Sequence, residues 1–221
     1  MIKQFICMVV LALSPSLASA GVIVQNLSVA RNTTDFDVPV VFALFDNLSS
    51  GRLLESVIVE LFARSSGNIA VENKSTTRSA NITATLSTSI TLLLQDGLTS
   101  LSAAPNATRT DKLEVFDGIT DYNGLSGVQF LNIATNDYEV MTFTIPSFLN
   151  LFTGNGQGFF TFEALATSNV IGGGNLATEI NTFASADVRI TYNYVEVPEK
   201  GTIILLLMGV MAAVTRKTIY R

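Results

Sequence analysis

Histidine and tryptophan are absent from this 221-residue chain, and cysteine occurs once, at Cys7. Without histidine, the commonest general base, proton shuttle and transition-metal ligand is missing, so dedicated zinc, copper or iron sites are not expected. Without tryptophan, the largest aromatic platform for stacking a sugar or a base is missing too. Cys7 falls in an apolar run at the extreme N-terminus, so the body of the protein has no thiol and no disulfide, and its stability must come from an ordinary core. Basic residues are also scarce. Of 13 Lys and Arg, four (Lys3, Arg216, Lys217 and Arg221) lie at the ends, leaving nine against 18 acids over residues 21–200, a net charge of −9. Such a surface repels phosphate backbones, and no nucleic-acid partner is expected.

Long hydrophobic runs are confined to the two ends. At the first, Lys3 precedes nine apolar residues from Phe5 to Leu13, Pro15 follows, and Ala18-Ser19-Ala20 closes the segment. This is the pattern of a secretory signal peptide over 1–20, with Ala18 and Ala20 where signal peptidase reads and Gly21 as the first mature residue after passage through the Sec machinery. Nine apolar residues are too few to cross a hydrocarbon core of ~30 Å. At the other end, Pro198-Glu199 closes the last strand pattern, and 201–215 carries no charge before Arg216, Lys217 and Arg221. A hydrophobic helix over 202–215 is expected within this run, which as a helix spans ~22 Å and reaches further by the snorkelling of Lys200 and Arg216. The basic tip is its cytoplasmic stop signal, which places the domain on the far side of the inner membrane.

Between these ends the hydrophobic period is two. Ile82, Ala84, Leu86, Ile90, Leu92 and Leu94 alternate with hydroxylic residues, which fits a half-buried strand or a bent strand pair. Ala184, Ala186, Val188, Ile190, Tyr192 and Tyr194 repeat the device. Further strand patterns cover 22–29, 38–45, 54–62, 128–133, 138–145 and 158–165, each bounded by Gly, Asn, Asp or Ser clusters. No window sustains a 3.6 period and no internal repeat is visible. The expectation is all-β: a single antiparallel β-sandwich, jelly-roll-like, over 21–195, with 99–127 a large surface excursion and 196–221 a tail.

Candidate chemistry is sparse. Asp117, Asp121 and Asn123 bring oxygen ligands onto the loop "DGITDYNG", which suits calcium. The spacing is not that of an EF-hand, and Asx-Gly clusters also make ordinary turns. In "FTGNGQGFF", Gly154, Gly156 and Gly158 precede a strand pattern without a lysine, so a turn or bulge is expected in place of a phosphate cradle. A glycosidase needs two carboxylates facing each other. Glu55 and Glu60 are placed on opposite faces of one strand, and Asp35 and Asp37 lie in a polar lead-in, which reads as solvated surface charge. Six sequons occur, at Asn26, Asn32, Asn47, Asn73, Asn81 and Asn106.

Val197-Pro198-Glu199, the apolar helix and the terminal basic cluster together resemble the PEP-CTERM sorting signal of Gram-negative bacteria, with Lys200 in place of the second proline of its Val-Pro-Glu-Pro core. That resemblance implies recognition by a membrane-embedded exosortase and processing near the Pro-Glu motif. The segments "FDNLSSGRLLESVIVEL", "VENKS", "DGITDYNGLSG", "FTGNGQGFFTFEA" and "ADVRITYNY", in that order, resemble the choice-of-anchor E domain, a β-rich module found beside such tails. It implies no catalytic residue. The expected protein is therefore an exported, non-enzymatic component of the cell surface or exopolysaccharide matrix, without cofactor other than the calcium candidate. A carbohydrate-binding module would need exposed tyrosine or phenylalanine on one sandwich face, and a hydrolase would need acids converging in a pocket. Tyr122, Tyr138 and Tyr192 are the residues whose placement discriminates.

Overall fold

The computed structural model describes residues 19–47 and 51–197. They fold into two antiparallel sheets packed face to face. The first holds, in order, β1 (Ala20–Thr33), β10 (Leu176–Glu196), β3 (Arg52–Asn73) and β7 (Gly127–Phe143). The second holds β2 (Phe36–Ala43), β8 (Gln157–Ala166), β4 (Ala80–Leu93) and β5 (Ser100–Ala103). Two further strands extend its rows along β4: β6 (Asn106–Leu113) continues the line of β5, and β9 (Asn169–Gly172) that of β8. Counting each interrupted pair as one strand, the chain runs in the order 1-10-3-7 opposite 2-8-4-5, which is the double Greek key of a jelly roll. The helical content of the described residues is one turn, α1 (Pro146–Leu149), continued by a 3₁₀ turn at Asn150–Phe152.

Side-chain alternation explains why these segments are strands. On β4, Ala80, Ile82, Ala84, Leu86, Thr88, Ile90 and Leu92 are all buried, and the odd-numbered residues between them are not. β3 runs for 22 residues, roughly 70 Å at ~3.3 Å per residue, so the sandwich is long enough to contain two apolar cores. The larger includes Val57, Leu61, Leu92, Phe160, Phe162 and Ile190; the smaller is built on Ile69, Val71, Ile82, Leu86, Leu113 and Ile133. Between them lies a polar waist where Ser65, Thr88 and Thr182 are buried. Gly67 sits there because a Cβ would collide with the Asn181 carbonyl oxygen and lie 2.8 Å from Leu86 Cδ1.

Four expectations are corrected or narrowed. Residues 99–127 are not one excursion, since β5 and β6 occupy 100–113 and only 114–126 loops out. These strands flank β4 on one side, and their inward signal is slight, carried by Leu101, Ala103, Ala107 and Leu113 among polar residues. The pattern at 54–62 is only the start of β3, whose hydrophobic signal breaks at the waist through Ser65, Ser66, Gly67 and Asn68. The patterns at 128–133 and 138–145 are one strand, β7, with an irregularity opposite Gly67 and Ile69. The segment beginning at Ile82 is a single strand, not a bent pair. The Gly154-Gly156-Gly158 run is a turn entering β8, with positive φ at Gly154 and Gly156 and the Phe42 ring packed on Gly158.

Candidate binding face on the four-stranded sheet

The two ends of the domain meet. Ala20 opens β1 in register with Val195 of β10, and the Glu196 amide donates to the Ser19 carbonyl at 2.9 Å. Val197 is 49% exposed, with its amide donating to the Gly51 carbonyl at 2.8 Å. Ala18, Pro198, Glu199, Arg216, Lys217, Arg221 and the segment 202–215 lie outside the described residues. Among the described residues no helix is long and apolar enough to cross a membrane.

Asp117, Asp121 and Asn123 each engage one side-chain oxygen within their loop or with the adjoining β7. Asp117 Oδ1 accepts from the Ile119 amide and Asp121 Oδ1 from the Asn123 amide, each at 2.9 Å, while Asn123 Oδ1 accepts from Gln129 Nε2 at 3.2 Å. These are Asx-type turn contacts. Among the described residues no three His, Cys, Asp or Glu side chains are placed to share a metal. The loop is tied to the sheet by a residue that the sequence did not single out: Glu72 is fully buried and its Oε2 accepts from the Tyr122 amide at 2.8 Å. Asn73 beside it is also fully buried, its Nδ2 donating to the carbonyls of Arg78 and Glu114 at 2.8 Å, so this sequon is inaccessible in the folded domain.

The three tyrosines separate. Tyr192 belongs to the core, its hydroxyl donating to the Ala43 carbonyl at 2.9 Å, and burial pushes the phenol pKa up. Tyr138 is 46% exposed on the outer face of the four-stranded sheet, its ring centroid 4.9 Å from that of Phe62. Tyr122 is half-buried and lines a cavity on the same face.

β3 runs through that face, between β10 and β7. The outward row of β3 reads Glu60, Phe62, Arg64, Ser66, Asn68 and Ala70, because every second residue points away from the core. Three cavities follow this row. One of about 410 Å³ lies over Phe62, Arg64 and Asp187; the next, about 300 Å³, over Arg31, Ser66 and Asn132; the third, about 340 Å³, over Asn68, Tyr122, Gln129 and Glu179.

Its charges are mostly paired. Glu60 is only 9% exposed although it lies on the outer face, because Arg189 and Tyr138 cover it. Arg189 donates through Nε to Glu60 Oε2 and through a terminal nitrogen to Oε1 at 2.6 Å, and the Tyr138 hydroxyl donates to Oε1 at 2.8 Å. The Arg189 bonds, helped by Tyr138, hold the Glu60 carboxyl below the usual carboxylate range against the opposing effect of burial. Arg64 does the same for Asp187, with which it pairs at 2.6 Å. Both acids are thus ionised at neutral pH. Neither cavity that includes an acid is lined by two carboxylates: Asp187 is alone in the first and Glu179 in the third. Asp35, Asp37 and Glu55 are exposed, and Asp35 Oδ1 accepts from the Ala166 amide at 2.7 Å.

No family model and no curated protein matches the chain. Solved structures that it resembles weakly are particles of infectious bursal disease virus. The T13 viral particle is 13% identical with a TM-score of 0.17, the alignment covering 82% of this chain and 41% of that one. The Gx strain is 13% identical with a TM-score of 0.15, over 84% and 44% of the two chains, and the T=1 particle is 10% identical with a TM-score of 0.17, over 81% and 41%. This chain therefore spans less than half the length of those capsid chains, and the likeness carries no functional argument.

Proposed function

We propose that the chain is an exported, non-enzymatic protein of the cell surface or exopolysaccharide matrix, delivered by a cleaved signal peptide and a PEP-CTERM-like tail that an exosortase recognises. The observation that carries this reading is where the fold stops. β1 begins at Ala20 and β10 ends at Glu196, so the two processing points read from the sequence, before Gly21 and near Pro198-Glu199, fall beside the ends of these strands. A signal peptidase cutting after Ala20 would remove only the first residue of β1 and leave 21–33 paired, and an exosortase acting near Pro198-Glu199 would cut just beyond β10. Because β1 and β10 are antiparallel neighbours paired at Ala20 and Val195, both cuts fall at one pole of the domain.

A second reading, a carbohydrate-binding module, is favoured by the cavities along β3 and by Phe62, Tyr138 and Tyr122 beside them. The two readings are compatible, since the first concerns destination and the second what the domain does there. The destination is tested by replacing Pro198 and Glu199 with alanine in the native host and measuring intact mass. Accumulation of the full-length, membrane-bound form is expected, whereas processing identical to the parent would remove the exosortase from the account.

A further inference from the structure

The middle cavity of the face is built by two irregularities that converge on the same point of β3. On one side, the register of β1 against β10 slips between Val29 and Asn32, and Arg31, at that bulge, reaches over β10. Its guanidinium lies 3.6 Å above the Phe183 ring and its Nε donates to Ser66 Oγ at 3.0 Å. On the other side, the register of β7 slips opposite Gly67 and Ile69. There Asn132 takes a positive φ of 53° and its amide donates to Asn68 Oδ1 at 2.8 Å. Bulges re-aim side chains and cluster beside functional sites, and a non-glycine residue at positive φ is uncommon. Here two bulges on opposite flanks deliver an arginine and an asparagine to one cavity.

Arg31 also differs electrostatically from its neighbours. Arg64 and Arg189 are neutralised by Asp187 and Glu60, but among the described residues no carboxylate pairs with Arg31, in a domain where acids outnumber bases. Its ring stacking and single hydroxyl contact fix the guanidinium plane while leaving its terminal N–H groups unbonded among the described residues. A planar, immobilised guanidinium with free donors is suited to a carboxylate.

We propose that the outer face of the four-stranded sheet binds a linear polysaccharide along β3, with the Arg31 cavity as the subsite for the carboxylate of a uronic acid residue. From Phe62 to Ala70 the row extends about 26 Å at ~3.3 Å per residue, enough for several sugar rings. The cavities lie at the small end of ligand-site volumes, ~300–1,000 Å³, as expected for successive shallow subsites. Phe62 with Tyr138 at one end and Tyr122 at the other offer apolar ring surface, while Asn68, Asn132 and Gln129 offer amides to hydroxyls. The paired Arg64 and Arg189 present N–H groups without net charge. A single unpaired arginine on this face of an acidic domain favours a polymer in which uronic acids are spaced by neutral sugars, because a dense polyanion would be repelled.

This inference rests on the reading of the chain as a matrix protein, but its test is independent of export. Full-length protein in detergent is applied to an array of uronate-containing oligosaccharides, each beside its carboxyl-reduced counterpart and neutral glucans. Binding to at least one uronate ligand is expected, with a loss of tenfold or more on carboxyl reduction. Arg31→Gln should lose tenfold or more, while Lys112→Gln on β6 of the other sheet should bind as the parent does, with both variants melting as the parent does. Absence of binding to every ligand, binding indifferent to the carboxylate, or binding unchanged in Arg31→Gln would overturn the proposal.

Discussion

Replacing Arg189 by leucine should expose how strongly the candidate face is held together. Glu60 accepts two charge-assisted bonds from Arg189 and one from Tyr138 while remaining 9% exposed. The variant leaves the carboxylate in place with only the tyrosine. Losing one partner of a fully buried ion pair costs ~3–5 kcal/mol, but the Arg189 side chain is 45% exposed, so water takes up part of the loss. Hydrogen bonds to a charged group contribute ~1.5–3 kcal/mol, and about 2 kcal/mol is expected at pH 7, or ~4–8 °C in Tm for a domain of this size. Glu60→Gln should cost less, and the double variant should fall short of the sum by ~1–2 kcal/mol. Because the folded Glu60 pKa is depressed, the stabilisation is present above the ordinary carboxylate value of ~4.3 and is lost as pH falls through the lower folded value. Urea denaturation of the four proteins at pH 7 and pH 3 measures this. A cost below ~0.5 kcal/mol at pH 7, or a gap between parent and Arg189→Leu that does not narrow between pH 7 and pH 3, would refute the assignment of Glu60 as a covered, arginine-held carboxylate.

Further expectations concern the waist, the loop and the ends. Gly67→Ala should destabilise by about 2–4 kcal/mol, because its methyl meets a backbone carbonyl that cannot move aside, and chemical denaturation reads the loss. Chelation should leave Tm unchanged and calcium titration should give no heat, since Asp117, Asp121 and Asn123 already bond within the loop and to β7; a fall of several degrees on chelation would establish a resident ion. Deleting 201–221 should leave Tm within about 2 °C of the parent, a shift of well under ~1 kcal/mol, because β10 is complete at Glu196; a truncated protein that unfolds would make the segment part of a core.

The all-β class and the sandwich were legible because burial on one face forces alternation. Ile82 to Leu92 and Ala184 to Tyr194 display it over their whole length, and both are strands flanked on two sides. Edge segments such as Asn106–Leu113 were illegible for the same reason: little of their surface is buried, so hydrogen bonding to β4 and not hydrophobicity makes them strands. The waist hid the continuation of β3, since serine and glycine at 65–67 meet a need for close approach that resembles a turn signal in sequence. The binding face could not be read locally at all. Glu60 and Arg189 are 129 positions apart, and Arg31 meets Ser66 across 35. Of the residues argued to form it, only Glu60, Tyr122 and Tyr138 stand out in the sequence, by residue type, and none of its arginines does.

Destination remains the central claim, and fractionating the native host with and without its exosortase tests it most directly. With the enzyme, a shortened protein beginning at Gly21 should be recovered from the cell surface or matrix. Without it, the chain should keep its C-terminal tail and remain in the inner membrane. Identical location and identical mass in the two strains would contradict the account.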